Sequence, residues 1–359
     1  MKTGARKAAG TPSTGAKGDA PKRSERGLTV KDVARVAGVA VGTVSRVLND
    51  NATVMPEVRE RVQAAMRELN YEPNVLARSM RAGSTRAVGC LVSDVVQLTA
   101  AQMLNGAEEV LHNAGYAMYM ASSHYDLERE RAIISSFRQR KIDGLILVIS
   151  DDEDPDYLAF LKSLQVPVVL WEREAGGLFS SALSDHHGGC NQAVAYLYGL
   201  GHRRVALVAG REHTWVGREM ERGYAEAHRA RGAAVDPSLI ARADRFDVAA
   251  CTRLLTLPDR PTAIIAPIND LALLMSVART LGMQVPTDIS VISIGDSSLL
   301  GISNPGITVV RHDPLEVGRT AARLLLAVLE GTEPPEEQKV LFPAELIVRG
   351  SCSEPRQLG

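Results

Sequence analysis

Leu28–Asp50 reads LTVKDVARVAGVAVGTVSRVLND, two short helical patterns parted by a glycine-centred turn. Thr29 stands where a helix cap belongs, and Asp32, three residues on, gives the spacing of a capping box. Val33, Val36 and Ala37 follow as an apolar stripe at helical spacing. Gly38 ends this helix, and a second runs from about Val41 to Leu48. A helix that stops at Ala-Gly-Val and restarts three residues later is helix-turn-helix grammar, in which the second helix enters the major groove. Ordinary helical cores also contain such pairs, so the neighbouring sequence decides.

Pro56–Leu69 is a third amphipathic pattern, with Val58, Val62, Ala65, Met66 and Leu69 on one side. Asn70–Asp94 then reads NYEPNVLARSMRAGSTRAVGCLVSD. This arrangement resembles the lac repressor/gal repressor family of bacterial transcription regulators. The resemblance is carried by TVKDVA, AGV, TVSRVLN, VRERV, LNYEPN, LARS and AVGCLVSD. It implies a helix-turn-helix head on a periplasmic-binding-protein-like body of two doubly wound parallel-sheet subdomains.

Composition agrees with such a chain. At 359 residues, 45% hydrophobic and 23% charged, two or three soluble domains are expected. No apolar run reaches the roughly 18 residues of a membrane span, and the basic N-terminus is followed by no apolar stretch. A cytoplasmic protein working at the nucleoid is expected. Cys90, Cys190, Cys251 and Cys352 lie far apart, which suits reduced thiols better than disulfides or zinc. The net charge of −1 hides an asymmetry: residues 1–83 carry 15 Lys/Arg against 8 Asp/Glu, the remainder 26 against 34. A basic head on an acidic body suits phosphate contacts.

Residues 1–26 hold seven Lys/Arg, two acids and no large apolar residue beyond Met1, too little to fold alone. They form a disordered arm that either adds weak phosphate contacts or is a leader without function. The head is assigned to 27–72, a hinge helix and linker to 73–86, the body to 87–352 and a tail to 353–359. In the body, AVGCLVSD, YAMYMASS, GLILVIS, PVVLW, RVALVAG, TAIIAP and SVISIG read as strands between helical patterns. That alternation implies parallel sheets covered on both faces. Seven strands are too many for one compact sheet, so a break is placed near 185, in SALSDHHGG, and a recrossing near 308. Ligands in such folds sit at the carboxyl ends of strands, here between the halves.

Val41, Gly42 and Arg46 occupy, by resemblance, the positions that choose the operator. Arg46 can bond both acceptors of a guanine, Val41 a thymine methyl, and Gly42 reads nothing by side chain. Thr43 and Ser45 suit phosphates, while Val44 and Val47 pack inward. Thr29, Asn49 and Tyr71 complete the set of DNA-contact candidates in the head. Ala40 and Met55 stand where relatives usually carry Ser, which removes two caps worth about 1 kcal/mol each. Asn74–Arg81 is too short for a lone helix. The resemblance implies that it folds on operator DNA, with Asn74, Ala77 and Arg81 at the contact and Met80 as the minor-groove wedge, normally Leu. The plain alternative is a linker.

The cleft departs from its relatives. Gln97-Leu98-Thr99-Ala100 replaces the common NPFF motif, Met220 replaces an arginine, and Gly295 replaces the first of two aspartates, leaving Asp296. Asn269-Asp270 is retained. The effector-contact candidates are therefore Gln97, Leu98, Arg173, Asp185, Trp215, Met220, Asn269 and Asp296. Trp215 reads equally as a ligand platform or as core, and Trp171 as core. Either the effector is less polar than a sugar or the protein ignores small molecules. DHHGGC, from Asp185, matches no zinc spacing, and His124 beside Ser122-Ser123 reads as an unremarkable loop. No P-loop, GxSxG or HExxH is present, so no enzyme, cofactor or metal is expected. The expected protein is a homodimeric repressor of a pseudopalindromic operator, modulated by a small molecule, with a tetramer left open. The alternatives are an activator, a regulator without effector and, more remotely, a sugar-binding protein.

Overall fold

The computed structural model describes residues 28–48, 52–71, 84–242, 246–332 and 338–356. The basic arm, Asn49 and the hinge candidates Asn74, Ala77, Met80 and Arg81 lie outside them. The chain divides into two compact units, residues 1–78 and 79–359.

The first unit contains α1 (Val30–Ala37), α2 (Val41–Leu48) and α3 (Pro56–Glu68). Asp32 accepts from the Thr29 backbone N–H at 3.0 Å and from its hydroxyl at 2.8 Å. Gly38 closes α1 in the left-handed region at φ 62°, where a side chain would be strained. Arg61 on α3 donates from Nη2 to the Ala37 and Gly38 carbonyls at 2.7 and 3.1 Å, fastening α3 to the end of α1. Val33, Ala37, Val44, Val47, Val62 and Tyr71 fill the small core between them.

The second unit is two-lobed. Its first lobe runs β1 (Ala87–Val92), α4 (Leu98–Asn113), β2 (Ala117–Ser122), α5 (Leu127–Gln139), β3 (Gly144–Leu147), α6 (Pro155–Lys162), β4 (Val168–Trp171) and β5 (Ser180–Ser184). The chain crosses into α7 (His186–Gly199), β6 (Val205–Ala209), α8 (Trp215–Arg229), β7 (Ile240–Arg242) and α9 (Val248–Leu255). There follow β8 (Ala263–Pro267), α10 (Ile268–Thr280), β9 (Ser290–Ile294), α11 (Ser298–Ile302) and β10 (Thr308–Arg311). It returns through α12 (Pro314–Glu330) to β11 (Lys339–Phe342), and β12 (Glu345–Ile347) goes back to the second lobe.

The sheet orders are β11-β5-β4-β3-β1-β2 and β12-β10-β9-β8-β6-β7. Every pairing is parallel except β10 with β12. Near-continuous apolar runs such as Ala87–Val92 are buried at every residue, as expected of strands covered on both faces. The stretch read as a break contains a strand, β5, and the crossing follows it at Asp185. The return falls at His312–Asp313, just past the expected 308. The first two crossings place His186 and His312 side by side, ring centroids 4.6 Å apart and edge-on.

Candidate functional site

On α2, Val44 and Val47 are buried in the head core, which rolls Val41, Gly42 and Arg46 outward. Thr43 and Ser45 are half-buried at the edges of this face. A Cβ placed on Gly42 would meet nothing within 4 Å, so the middle of the face is open backbone. Arg46 rests its Nε on the Gly42 carbonyl at 3.3 Å and forms no ion pair among the described residues. Thr29 is exposed at the start of α1, tied to Asp32. Tyr71, a DNA-contact candidate, has its ring buried in the head core with Val33 and Val62, so it braces the head.

In the body, a cavity of about 650 Å³ lies between the lobes. Segments that follow the carboxyl ends of β1, β4, β6, β8 and β9 supply its wall, the position general for doubly wound sheets. The first lobe contributes Ser93, Gln97, Tyr125, Glu172 and Arg173, the second Arg211, Asn269, Asp270 and Asp296. Gln97 donates from Nε2 to the Tyr125 hydroxyl at 3.1 Å. The Arg211 guanidinium lies over the Tyr125 ring, 4.1 Å from its centroid, and thereby touches the opposite lobe. His124 and Tyr125 both have positive φ, 54° and 60°, a strained pair beside the cavity.

Three candidates stand off the cavity wall, Trp215 among them in the core reading it shared with the ligand one. Trp215 begins α8 behind the wall, its ring edge-on to His186 and beneath Lys339. Leu98 opens α4 with its side chain turned off the cavity, while Thr99 and Ala100 line it. Asp185 caps α7, accepting the Gly188 N–H at 2.8 Å, and is spent there. Met220 reaches the wall from inside the second lobe's core, where it is 1% exposed. Trp171 is fully buried, its indole N–H on the Leu91 carbonyl.

The cleft floor is a charged cluster that no local spacing announced. Glu172 holds His186 Nε2 at 2.7 Å and accepts the Ser184 hydroxyl at 2.6 Å. Burial pushes the Glu172 carboxyl up, but His186 and Ser184 outweigh it and hold it below the usual range. Burial pushes the neighbouring His312 imidazole down to about 3, so it is neutral. His186 Nδ1 and His312 Nε2 are both buried without a partner among the described residues. On the second lobe, burial alone pushes Asp270 up to about 6. Asp296 is held below its usual value because Arg349, at 3.0 and 2.8 Å, and Arg311 outweigh its burial.

His312 makes stability pH-dependent. A histidine neutral in the fold and protonated in the unfolded chain leaves the unfolded state holding more protons below about pH 6.5, so stability falls with falling pH. Between pH 7 and 5 that loss is roughly 2 kcal/mol for one such residue. Asp270, whose carboxyl is raised, acts in the opposite sense over the same range. The comparison is therefore differential: urea denaturation of His312→Gln should show a smaller loss between pH 7 and 5 than the unaltered protein. An equal loss in both would place the effect in other groups, of which His202 and His228 share the direction.

The DHHGGC segment is structural. Asp185 caps a helix, His186 and His187 pair with Glu172 and Glu226, and Cys190 is buried. Among the described residues no group of three His, Cys, Asp or Glu could hold a metal, and no helix is long and apolar enough to cross a membrane.

A helix-turn-helix unit and a two-lobed α/β body with an interlobe cavity are the parts of a DNA-binding regulator of transcription, the class to which the relatives belong. The chain belongs to the lacI family of bacterial regulatory proteins, whose model matches residues 29–74. A periplasmic binding protein-like domain matches 194–352. Among its relatives is the HTH-type transcriptional repressor CytR of Escherichia coli, 31% identical, covering 92% of this chain and 98% of the relative. The repressor PurR of Aliivibrio fischeri is 29% identical, covering 90% and 98%. Of solved structures, a transcriptional regulator CelR-cellobiose complex is 31% identical with a TM-score of 0.68, covering 90% of this chain and 99% of that one. A lac repressor dimer bound to operator shares the fold, with a TM-score of 0.80 at 24% identity, covering 91% and 99%.

Proposed function

We propose that the protein is a cytoplasmic, homodimeric repressor that reads a pseudopalindromic operator through α2 and is modulated by a small molecule in the interlobe cavity. The observation that carries the DNA-reading part is the outward face of α2. Val44 and Val47 anchor the helix, and the side chain best suited to base reading, Arg46, is exposed and uncommitted to any acid among the described residues. One such face reads too few base pairs to be found in a genome, which is the reason for two copies and a symmetric site. The polar groups set in a largely apolar cavity wall favour a regulated protein over one without an effector, and a related regulator holds cellobiose. The helix-turn-helix unit disfavours a plain sugar-binding protein. Whether the bound operator silences or activates depends on where it lies, and the repressor relatives favour silencing.

The test is selection of binding sites from random duplex DNA, followed by anisotropy titration across salt concentrations. A pseudopalindrome should emerge, with affinity falling steeply as salt rises because counterions are released. Arg46→Ala should lose roughly 1–3 kcal/mol of discrimination at one symmetric base pair and leave the salt slope nearly unchanged. An unaltered selected sequence would remove Arg46 from the reading. Selection of no sequence at all would remove the operator.

A further inference from the structure

The acids and bases on the cavity wall are not balanced. Glu172 is taken by His186 and Ser184, Asp296 by Arg349 and Arg311, and Asp313 by the Glu316 N–H. Arg173 is different. It is 5% exposed and makes no ion pair among the described residues. Its Nε and Nη1 donate to the Ile149 and Glu172 carbonyls, both at 2.6 Å, which fixes the fork in place. Nη2 has no protein acceptor among the described residues. The acid that acts on it through space, Asp152, is already in contact with Arg218 at 2.8 Å. From the other lobe Arg211 brings a second guanidinium to the same cavity, lying on Tyr125 and donating to no acceptor among the described residues. Guanidinium cannot shed its charge, so a buried one whose nearest acid, Asp152, acts only through space and is shared with Arg218 still attracts an arriving anion.

Among the described residues the cavity also holds an uncommitted carboxyl, Asp270, beside Asn269 at the start of α10. We propose that the cleft binds a small hydroxylated organic acid, its carboxylate clamped between Arg173 and Arg211 and its hydroxyls turned toward Asp270 and Asn269. This rests on the reading of the cleft as the effector site. A planar fork matches a carboxylate through two parallel bonds, which supplies direction as well as attraction. Asp270 repels a carboxylate and accepts from hydroxyls, so it sets the ligand's polarity end to end. A volume of about 650 Å³ is ample for a six-carbon acid and far larger than an inorganic anion requires. Because Arg173 and Arg211 come from opposite lobes, one bridging carboxylate would favour the closed arrangement, the differential affinity that coupling needs.

The experiment is calorimetric titration of the full chain with gluconate and galacturonate against their neutral counterparts, glucitol and galactose, at fixed ionic strength. An acid should bind at least tenfold tighter than its counterpart, and Arg173→Gln and Arg211→Gln should each weaken the acid tenfold or more. Arg173→Lys keeps charge without the fork and should also weaken it. Arg211 is only half-buried, so its variant reports even if Arg173→Gln unfolds. Binding of the neutral sugars as tightly as the acids, or acid binding that survives Arg211→Gln, overturns the acid and leaves the effector site standing. Sulfate competing fully at equal concentration overturns the organic ligand. No heat from any compound, acid or neutral, overturns both this inference and the effector reading beneath it.

Discussion

Asp152→Ala should destabilise the body by about 3 kcal/mol, measured by urea denaturation, although Asp152 lies on a loop. Its carboxylate belongs to the first lobe, in the segment after β3, and its bonds reach the second. Oδ2 accepts the Trp215 backbone N–H at 2.7 Å, and Oδ1 lies 2.8 Å from Arg218 Nη2, off the line of a true hydrogen bond. The Asp152 N–H also donates to the His213 carbonyl at 3.3 Å, and Glu153 meets Arg218 at 3.2 Å. Burial pushes the Asp152 carboxyl up against the opposing pull of Arg173, the Trp215 N–H and Arg218, so forming the pair is far from free. Breaking it is worse, because an orphaned N–H costs roughly 1–3 kcal/mol and the unpaired guanidinium more. Arg218 is 32% exposed and retains Glu153, which keeps the total below that of a fully buried pair. Asp152→Asn keeps an acceptor for Trp215 and should lose only about half as much. A double-mutant cycle with Arg218→Ala tests the assignment, since additive losses would mean that the two residues do not act together.

The same latch shows why the fold was more legible than the site. Apolar runs such as Ala263–Pro267 are local, and seven of the strands stand out by composition alone. β5 did not, because Ser180, Ser181 and Ser184 interrupt it. These serines are nonetheless buried: Ser180 Oγ accepts the Gln338 N–H, Ser181 donates to the Phe179 carbonyl and Ser184 to Glu172. Hydroxyls with partners are tolerated in a sheet core, and the partners are invisible in the segment itself. β11 was missed for a related reason. Its half-exposed KVLF gains its place by pairing with β5, which precedes it by more than 150 residues.

In the head, the outward face of α2 followed from where Val44 and Val47 had to go, and the structure turns it as the spacing implies. Tyr71 could not be placed that way, since its burial depends on closure against Val33 and Val62. In the cleft, Gln97, Arg173, Asn269 and Asp296 line the wall, whereas Trp215, Leu98 and Asp185 do not. All three stand at the first turn of a helix or its cap, where a shift of one position turns a side chain from the cavity into the packing. Tyr125, Arg211 and the Glu172–His186–His312 floor were missed because they assemble across the lobes. Glu172 itself adopts φ 53°, a strain that a sequence does not display.

Gly318→Ala should cost about 3 kcal/mol, a large effect for a single methyl group. α12 crosses α4 so closely that a Cβ on Gly318 would lie 2.0 Å from the Met103 carbonyl oxygen. The contact is reciprocal, since a Cβ on Gly106 would lie 2.1 Å from the Leu315 carbonyl oxygen. Backbone cannot move aside as a flexible side chain would, so the helices must separate. Val317, Ala321 and Leu325 would then withdraw from the first lobe's core, where each is fully buried with Met103 and Ala107 nearby. Against this stands the gain of roughly 0.5–1 kcal/mol that alanine brings to a helix in place of glycine. Gly199→Ala isolates that gain, because a Cβ at the end of α7 meets nothing within 4 Å. The two substitutions should therefore move the urea midpoint in opposite directions. A stabilised Gly318→Ala would mean that α4 and α12 do not approach as closely as described. The consequence reaches the cleft, because α12 begins directly after His312 and Asp313 at the crossing. Separating the helices should displace His312 from His186 along with the core, so the pH dependence assigned to His312 should shrink in Gly318→Ala even though that glycine carries no charge.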